Sequence, residues 1–245
     1  DGLGNAEGLL GRYLLDHHYG SGASGTLRGV ARTRSRVNRP TGFYIPRFRN
    51  LGGEASTFLR GYGVQGAAIL PGWQRGKTEP GHGAEFKRHL LEEAGEWSLY
   101  GSGYGETLPH ADNRVTLDAS LADRWGIPAA RIDMRWRENE IAMSTDMSES
   151  VAETLEAAGC ADVKTFRYMP PPGHCVHEMG GARMGHTARD GVLNRWNQMW
   201  EAPNVFVTDG ACMTSSACQN PSMTYMALTA RAAAHAVDLL KRRAI

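Results

Sequence analysis

Short apolar runs broken by Gly and Pro mark the first part of this chain. From Arg34 to Ile69 they favour extended structure, with Phe43-Tyr44-Ile45 and Phe58-Leu59-Arg60-Gly61-Tyr62 as strands of a half-open sheet. A first helix is predicted over about Ala84–Glu93, with Phe86, Leu90 and Leu91 inward and Gly95 just past its end. Trp97-Ser98-Leu99-Tyr100, a Gly-rich turn, Arg114–Leu117 and Arg131–Trp136 follow, and their aromatic and β-branched content predicts an antiparallel sheet. A second helix is predicted over about Glu138–Ala158, carrying Ile141, Met147, Val151 and Leu155 and stopped by Gly159.

Towards the end the pattern changes. Val205-Phe206-Val207 is too short for a helix and is ended by Asp209-Gly210, so it predicts a buried strand feeding a turn. Asn220 suits an N-cap and Pro221 the first helical position, because neither needs a backbone donor there. Met223, Met226, Ala227, Ala230, Ala234, Val237 and Leu240 then form a 3.6-residue stripe, ending near Lys241-Arg242-Arg243. This predicts a helix packed along that face. A strand, a loop and a helix N-terminus in succession form a cradle suited to an anion or a cofactor.

Composition narrows the class. With 245 residues and 41% apolar content the chain is large enough for one large domain or two modest ones. A net charge of +1 gives no electrostatic reason to expect nucleic acid or an anionic membrane as partner. No apolar run approaches membrane-spanning length, and the first residue is Asp, which predicts that the true start lies upstream. Cys160, Cys175, Cys212 and Cys218 show no CxxC spacing and leave the compartment, cytoplasmic or periplasmic, open. Gly20–Gly25 spells GSGASG, a literal match to a dinucleotide loop. Asp16-His17-His18-Tyr19 before it is no apolar strand and Thr26–Gly29 opens no helix, so it reads as a flexible loop.

The chemistry concentrates between Pro170 and Ala234. His177, in a glycine-rich loop, suits a general base titrating near neutral pH, or a histidine paired with Glu178 or satisfied in a core. His174, Cys175, His177, His186, Cys212 and Cys218 are possible metal ligands, but they lack the paired spacing of zinc sites. Glu106 and His110, in the loop Gly105–His110, could reach a substrate but read rather as surface polar residues.

His177-Glu178-Met179-Gly180-Gly181-Ala182-Arg183-Met184-Gly185, Asn204–Gly210 and Gln219-Asn220-Pro221-Ser222, in this order and spacing, resemble the C-terminal signatures of the glucose-methanol-choline (GMC) flavin oxidoreductases. Gly11–His17 resembles the segment leading out of that family's flavin domain. The resemblance covers nearly the whole chain and the C-terminal half to two-thirds of a family member. It implies an α/β or α+β fold: an antiparallel-sheet substrate domain flanked by helices, joined to part of a Rossmann-like FAD-binding domain whose N-terminal part is missing. Residues 1–30 and 190–245 would belong to the flavin domain and 31–189 to the substrate domain.

The resemblance further implies FAD as cofactor and an alcohol, sugar or polyol as substrate, oxidised to a carbonyl. His177 would be the catalytic base and Asn220 its partner at the substrate oxygen. Asp209, Gly210, Asn220, Pro221, Ser222 and Met223 would bind the flavin, with Thr224 beside its ring edge. Gln-Asn-Pro after Ser-Ala-Cys, with the HEMGG form of the histidine motif, resembles sugar dehydrogenases that pass electrons to an acceptor other than oxygen, which implies an electron-acceptor subunit or cytochrome as partner. The competing reading is a non-catalytic carbohydrate-binding or interaction remnant without cofactor.

Overall fold

A computed structural model describes residues 3–30, 42–53, 56–92, 95–175 and 177–245. In chain order its elements are β1 (Arg12–Leu15), β2 (His17–Leu27), β3 (Gly42–Ile45), β4 (Tyr62–Ile69), α1 (Gly83–Glu92), β5 (Trp97–Glu106), β6 (Arg114–Ala122), β7 (Pro128–Asp133), α2 (Glu138–Ala157), β8 (Ala161–Arg167), β9 (Met179–Gly181) and α3 (Ser222–Lys241). They form a four-stranded sheet ordered β7-β6-β1-β9 and a five-stranded sheet ordered β3-β4-β5-β2-β8. Antiparallel pairing joins β1 to β6 and β9, β2 to β8, β3 to β4 and β6 to β7. Antiparallel sheets with few helices are the mixed class that the sequence predicts. By packing, the chain divides into one unit of Asp1–His18, Gly105–Ile141 and Pro170–Ile245, and another of Tyr19–Tyr104 and Ala142–Met169.

In the second of these units α2 lies on the sheet. Met143, Met147, Val151 and Leu155 repeat at helical spacing and are buried with Ala23, Phe58, Tyr62 and Val64. Ile141, expected inward, is exposed, and Met143 takes the inward position. The glycines of this sheet are closely approached: a Cβ on Gly103 would lie 2.3 Å from the Met147 side chain of the helix, and one on Gly22 would lie 2.0 Å from the Gly101 carbonyl oxygen of the neighbouring strand. Close approach therefore explains two corrections. The GSGASG stretch is the middle of β2 rather than a flexible loop, and the Gly-rich segment after Tyr100 continues β5 rather than turning. Gly159, at φ +81, ends α2 as predicted, with the Cys160 N–H reaching back to the Leu155 carbonyl at 3.0 Å.

Elsewhere in that unit, β3 falls on the predicted run, whereas Phe58–Arg60 bends and the strand begins at Tyr62. Residues 34–41 of the expected extended segment, and the expected helix end at Glu93, lie outside the described residues. Leu90 is buried on α1, while Leu91 is 56% exposed.

The first unit holds a second apolar cluster of Ala182, Val192, Leu193, Met199, Ala202 and Cys212, with Leu228 of α3 packed against it. Two expectations for this unit are overturned. Val205-Phe206-Val207 forms no strand, only an isolated bridge from Phe206 to Gln198. The face of α3 expected to pack is open: Met223 is 82% and Met226 70% exposed, and Val237 and Leu240 are exposed too. Tyr225, Leu228, Ala232, His235 and Leu239 face inward instead. The helix is alanine-rich and apolar around most of its circumference, so its bulky Tyr225 and Leu228, rather than its period, decide which side is covered.

Candidate active site

Backbone pairing assembles the site. Along β1 and β9, Leu15 is paired with Met179. The pairing stops there, with β1 ending at Leu15 and β9 beginning at Met179, and it leaves Asp16-His17 and His177-Glu178 at the adjoining ends of the two strands. The two imidazoles meet there, with centroids 4.7 Å apart and planes at 69°. Gly180 is required for the pairing: its φ is +83, and a Cβ would lie 2.1 Å from the Tyr13 carbonyl oxygen.

Burial sets the electrostatics. Asp16 is fully buried, and burial pushes its carboxyl up to about 6, with Glu178 adding to the rise and backbone N–H groups opposing it. Its oxygens accept from the backbone N–H of His17 at 2.7 Å and of Cys175 at 3.1 Å, so one carboxyl ties the start of β2 to the loop that carries His177. His17 is 2% exposed. Burial, then the neighbouring His177, push its imidazole down, while the carbonyls of Gly105 and Gln219 and the charge of Glu106 favour protonation. Neither ring nitrogen of His17 has a well-formed hydrogen bond among the described residues.

The Asp209-Gly210 turn locks onto the same strand. Asp209 caps a short helical turn by accepting from the Ala211 N–H at 3.0 Å, and the Ala182 and Met184 N–H groups donate to the carbonyls of Ala211 and Cys212. A Cβ on Gly210 would sit 2.4 Å from the Glu178 carbonyl oxygen, so only glycine lets the turn approach this closely. The Tyr225 hydroxyl closes in from α3. It has no hydrogen-bond partner among the described residues and is pushed up to about 12 by burial and then by nearby Cys212, Asp209, Glu178 and Asp16.

Glu106 holds the remaining loop. Its Oε2 accepts from the Ser215 hydroxyl at 2.6 Å and from the N–H groups of Ser216 and Ala217 at 2.9 Å each. Ala217 sits at φ +57, and the chain leaves this clamp directly into Cys218-Gln219-Asn220-Pro221. Glu106 is 4% exposed, which corrects the expectation of a surface residue. Asn220 also departs from expectation, because α3 starts at Ser222 with Pro221 as boundary residue and no side chain capping it. Proline supplies no N–H, and its carbonyl receives the Tyr225 N–H at 3.0 Å, so the first helical bond already runs through Pro221.

The sequence-predicted residues thus fall on two surfaces of one unit. Gly210 and Pro221 are buried and shape the backbone, Asn220, Ser222 and Met223 are exposed at the uncapped start of α3, Asp209 is exposed, and His177 is half-buried against His17. The possible metal ligands do not gather: no three His, Cys, Asp or Glu side chains converge as a metal site among the described residues. No described helix is long and apolar enough to cross a membrane.

Comparison with known proteins decides the family, since a GMC oxidoreductase C-terminal family model matches residues 109–229, across all three motifs. The chain belongs to the GMC oxidoreductases. Among curated GMC relatives, a 2-methyl-1,2-propanediol dehydrogenase of Mycolicibacterium austroafricanum is 34% identical over 99% of this chain and 44% of its own length. A paromamine 6'-oxidase of Streptomyces fradiae is 28% identical over 99% of the chain and 42% of its own. The fructose dehydrogenase large subunit of Gluconobacter japonicus is 29% identical over 56% of the chain and 25% of its own. The chain therefore spans less than half the length of these GMC relatives.

Sequence reasoning passed over three residues of this GMC site: Asp16 and His17 as chemistry-bearing groups, and Glu106 as a buried clamp. Hydrophobic periodicity is silent on buried polar residues. The usable signal was consecutive titratable residues placed at a strand junction, Asp16-His17-His18 after Leu14-Leu15 and Glu106 after Gly105.

Proposed function

We propose that this chain contributes the base and the flavin-facing loops of an enzyme that oxidises a CH–OH group, on a sugar or polyol, to a carbonyl. The observation that carries the reading is the contact of the His177 and His17 rings, 4.7 Å apart just outside the β1–β9 pairing, with the Asp209-Gly210 turn packed on the next residue's carbonyl. The residues present fit FAD: exposed Asp209, Asn220, Ser222 and Met223 surround a helix start that no side chain caps, so its first N–H groups are open to an electron-rich ligand edge. FAD, when bound, supplies the acceptor for the substrate's hydride.

In this reading His177 takes the hydroxyl proton on a ring nitrogen and Asn220 donates from its amide to the substrate oxygen. Asp209 and Gly210 hold the polar chain of the cofactor. Residues 1–30 and 190–245 serve the flavin-binding domain and 31–189 the substrate domain. Relatives named as dehydrogenases of fructose and gluconate favour an electron acceptor other than oxygen, such as an acceptor subunit or cytochrome, and relatives named as oxidases supply the contrary case.

His177→Ala in the holoenzyme tests the reading. Loss of a general base lowers turnover on the order of a hundred- to ten-thousand-fold, with bound flavin retained. Flavin reduction by substrate that stays within about threefold of wild type in stopped flow would place the base elsewhere.

A further inference from the structure

We infer that His17 is a positioning residue for His177: its buried ring is the wall against which the HEMGG imidazole is set, and it ties that imidazole to the loop delivering Asn220. The inference rests on the reading of His177 as the base. Three separate features place His17 in this role. Just past the Leu15–Met179 pair that ends the β1–β9 ladder, its ring meets that of His177 edge to face, with centroids 4.7 Å apart. Its ring lies near the carbonyls of Gly105, the residue before Glu106, and of Gln219, two residues past the Ser215–Ala217 segment that Glu106 clamps. Asp16, the residue before it, holds the His17 backbone N–H and the Cys175 N–H with one carboxyl, so the backbones carrying the two histidines are fixed to a common group.

An imidazole that accepts a proton must be held in one orientation, because its two nitrogens point in different directions. The β1–β9 pairing begins only at Met179, so the rotation of the His177 ring needs a packed neighbour, and His17 supplies one. The charged and titratable groups around His17 are His177 in ring contact, Asp16 and its neighbour Glu178, and Glu106. Burial and then His177 oppose a charge on the His17 ring.

The test compares His17→Phe, which keeps a flat ring of similar reach, with His17→Ala, which removes it, both in the holoenzyme. Misplacing a reacting group by about 1 Å costs on the order of a hundredfold, so His17→Ala lowers kcat about ten- to a hundredfold with KM within about threefold, and His17→Phe recovers to within about fivefold of wild type. A second measurement does not depend on turnover. In protein labelled with carbon-13 histidine, the Cε1–H resonance of His177, assigned by its loss in His177→Ala, shows a second inflection at low pH as His17 titrates beside it, and His17→Phe abolishes that inflection.

The inference is overturned if kcat of His17→Ala stays within twofold of wild type, if His17→Phe falls as far as His17→Ala, or if the low-pH inflection survives in His17→Phe. Where His17→Ala does not fold, the phenylalanine variant and the resonance decide. Unchanged flavin reduction in His177→Ala, with the inflection present in wild type, would instead remove His177 as base while leaving the histidine pair in place.

Discussion

Removing the Glu106 carboxylate isolates the clamp that presents Asn220. One oxygen accepts three hydrogen bonds from Ser215, Ser216 and Ala217, and the group is almost wholly buried. Glu106→Ala leaves the Ser216 and Ala217 N–H groups without their acceptor, at about 1–3 kcal/mol for each buried donor. Ala217 is only part-buried and water can reach it, so about 1 kcal/mol applies there and about 2 kcal/mol to the buried Ser216 N–H, about 3 kcal/mol in all. For a protein of this size that lowers Tm by roughly 6–12 °C. Glu106→Gln keeps an oxygen in place and loses the charge assistance, about half the strength of such bonds, so Tm falls by roughly 2–4 °C. Calorimetry measures both shifts, and limited proteolysis between Met213 and Asn220 reports whether the loop has loosened. A Glu106→Ala protein melting within 2 °C of wild type, with no new cleavage in this loop, would refute the clamp.

Two further outcomes follow from the same geometry. Asp16, raised to about 6 from 3.8, binds a proton more tightly folded than unfolded, so its contribution to stability is present below pH about 4 and is lost as pH rises through about 6; in Asp16→Asn, urea midpoints measured between pH 4 and 7 lose that downward slope, and an unchanged slope would assign it to another group. Asn220→Asp should leave Tm within about 2 °C, because Asn220 caps nothing, yet lower the flavin's reduction potential in the holoenzyme by adding an anion beside the reduced ring, and equal potentials in the two proteins would place Asn220 away from it.

How much of this was legible in sequence depended on what kind of signal each element carries. The α2 helix was readable because Met147, Val151 and Leu155 recur at a helical period and Gly159 stops them; β6 was readable from Val115 and Thr116, and β7 in part, since it runs Pro128–Asp133 and stops short of the expected end at Trp136. β2 was not, although it lies between β5 and β8, because its sequence is His-His-Tyr followed by small residues. Strand propensity measures side chains that fill a pleated surface, and here α2 fills that space instead. β8 went unread for a different reason: its burial alternates in a short, mostly exposed segment of mixed polar residues.

The site was legible to the extent that its motifs are contiguous. HEMGG, the Asp209-Gly210 turn and Gln219-Asn220-Pro221 each announce themselves, but the contacts that join them do not lie within any motif. Gly210 meets Glu178 through a missing Cβ, Glu106 reaches a loop more than a hundred residues away in sequence, with |i−j| of 109 to Ser215, and His17 meets the His177 ring just past the end of a strand pairing. Each is a long-range pairing, and pairing partners are set by register and close approach rather than by local composition. The same reasoning explains why α3 was placed on the wrong side: an alanine-rich helix is compatible with either face, and only the bulk of Tyr225 and Leu228 against the Cys212 cluster chooses between them. Its motif-bearing N-terminus is fixed separately, by Pro221 and the Glu106 clamp, so an error about the helix's packed face carried no error about where Asn220 emerges.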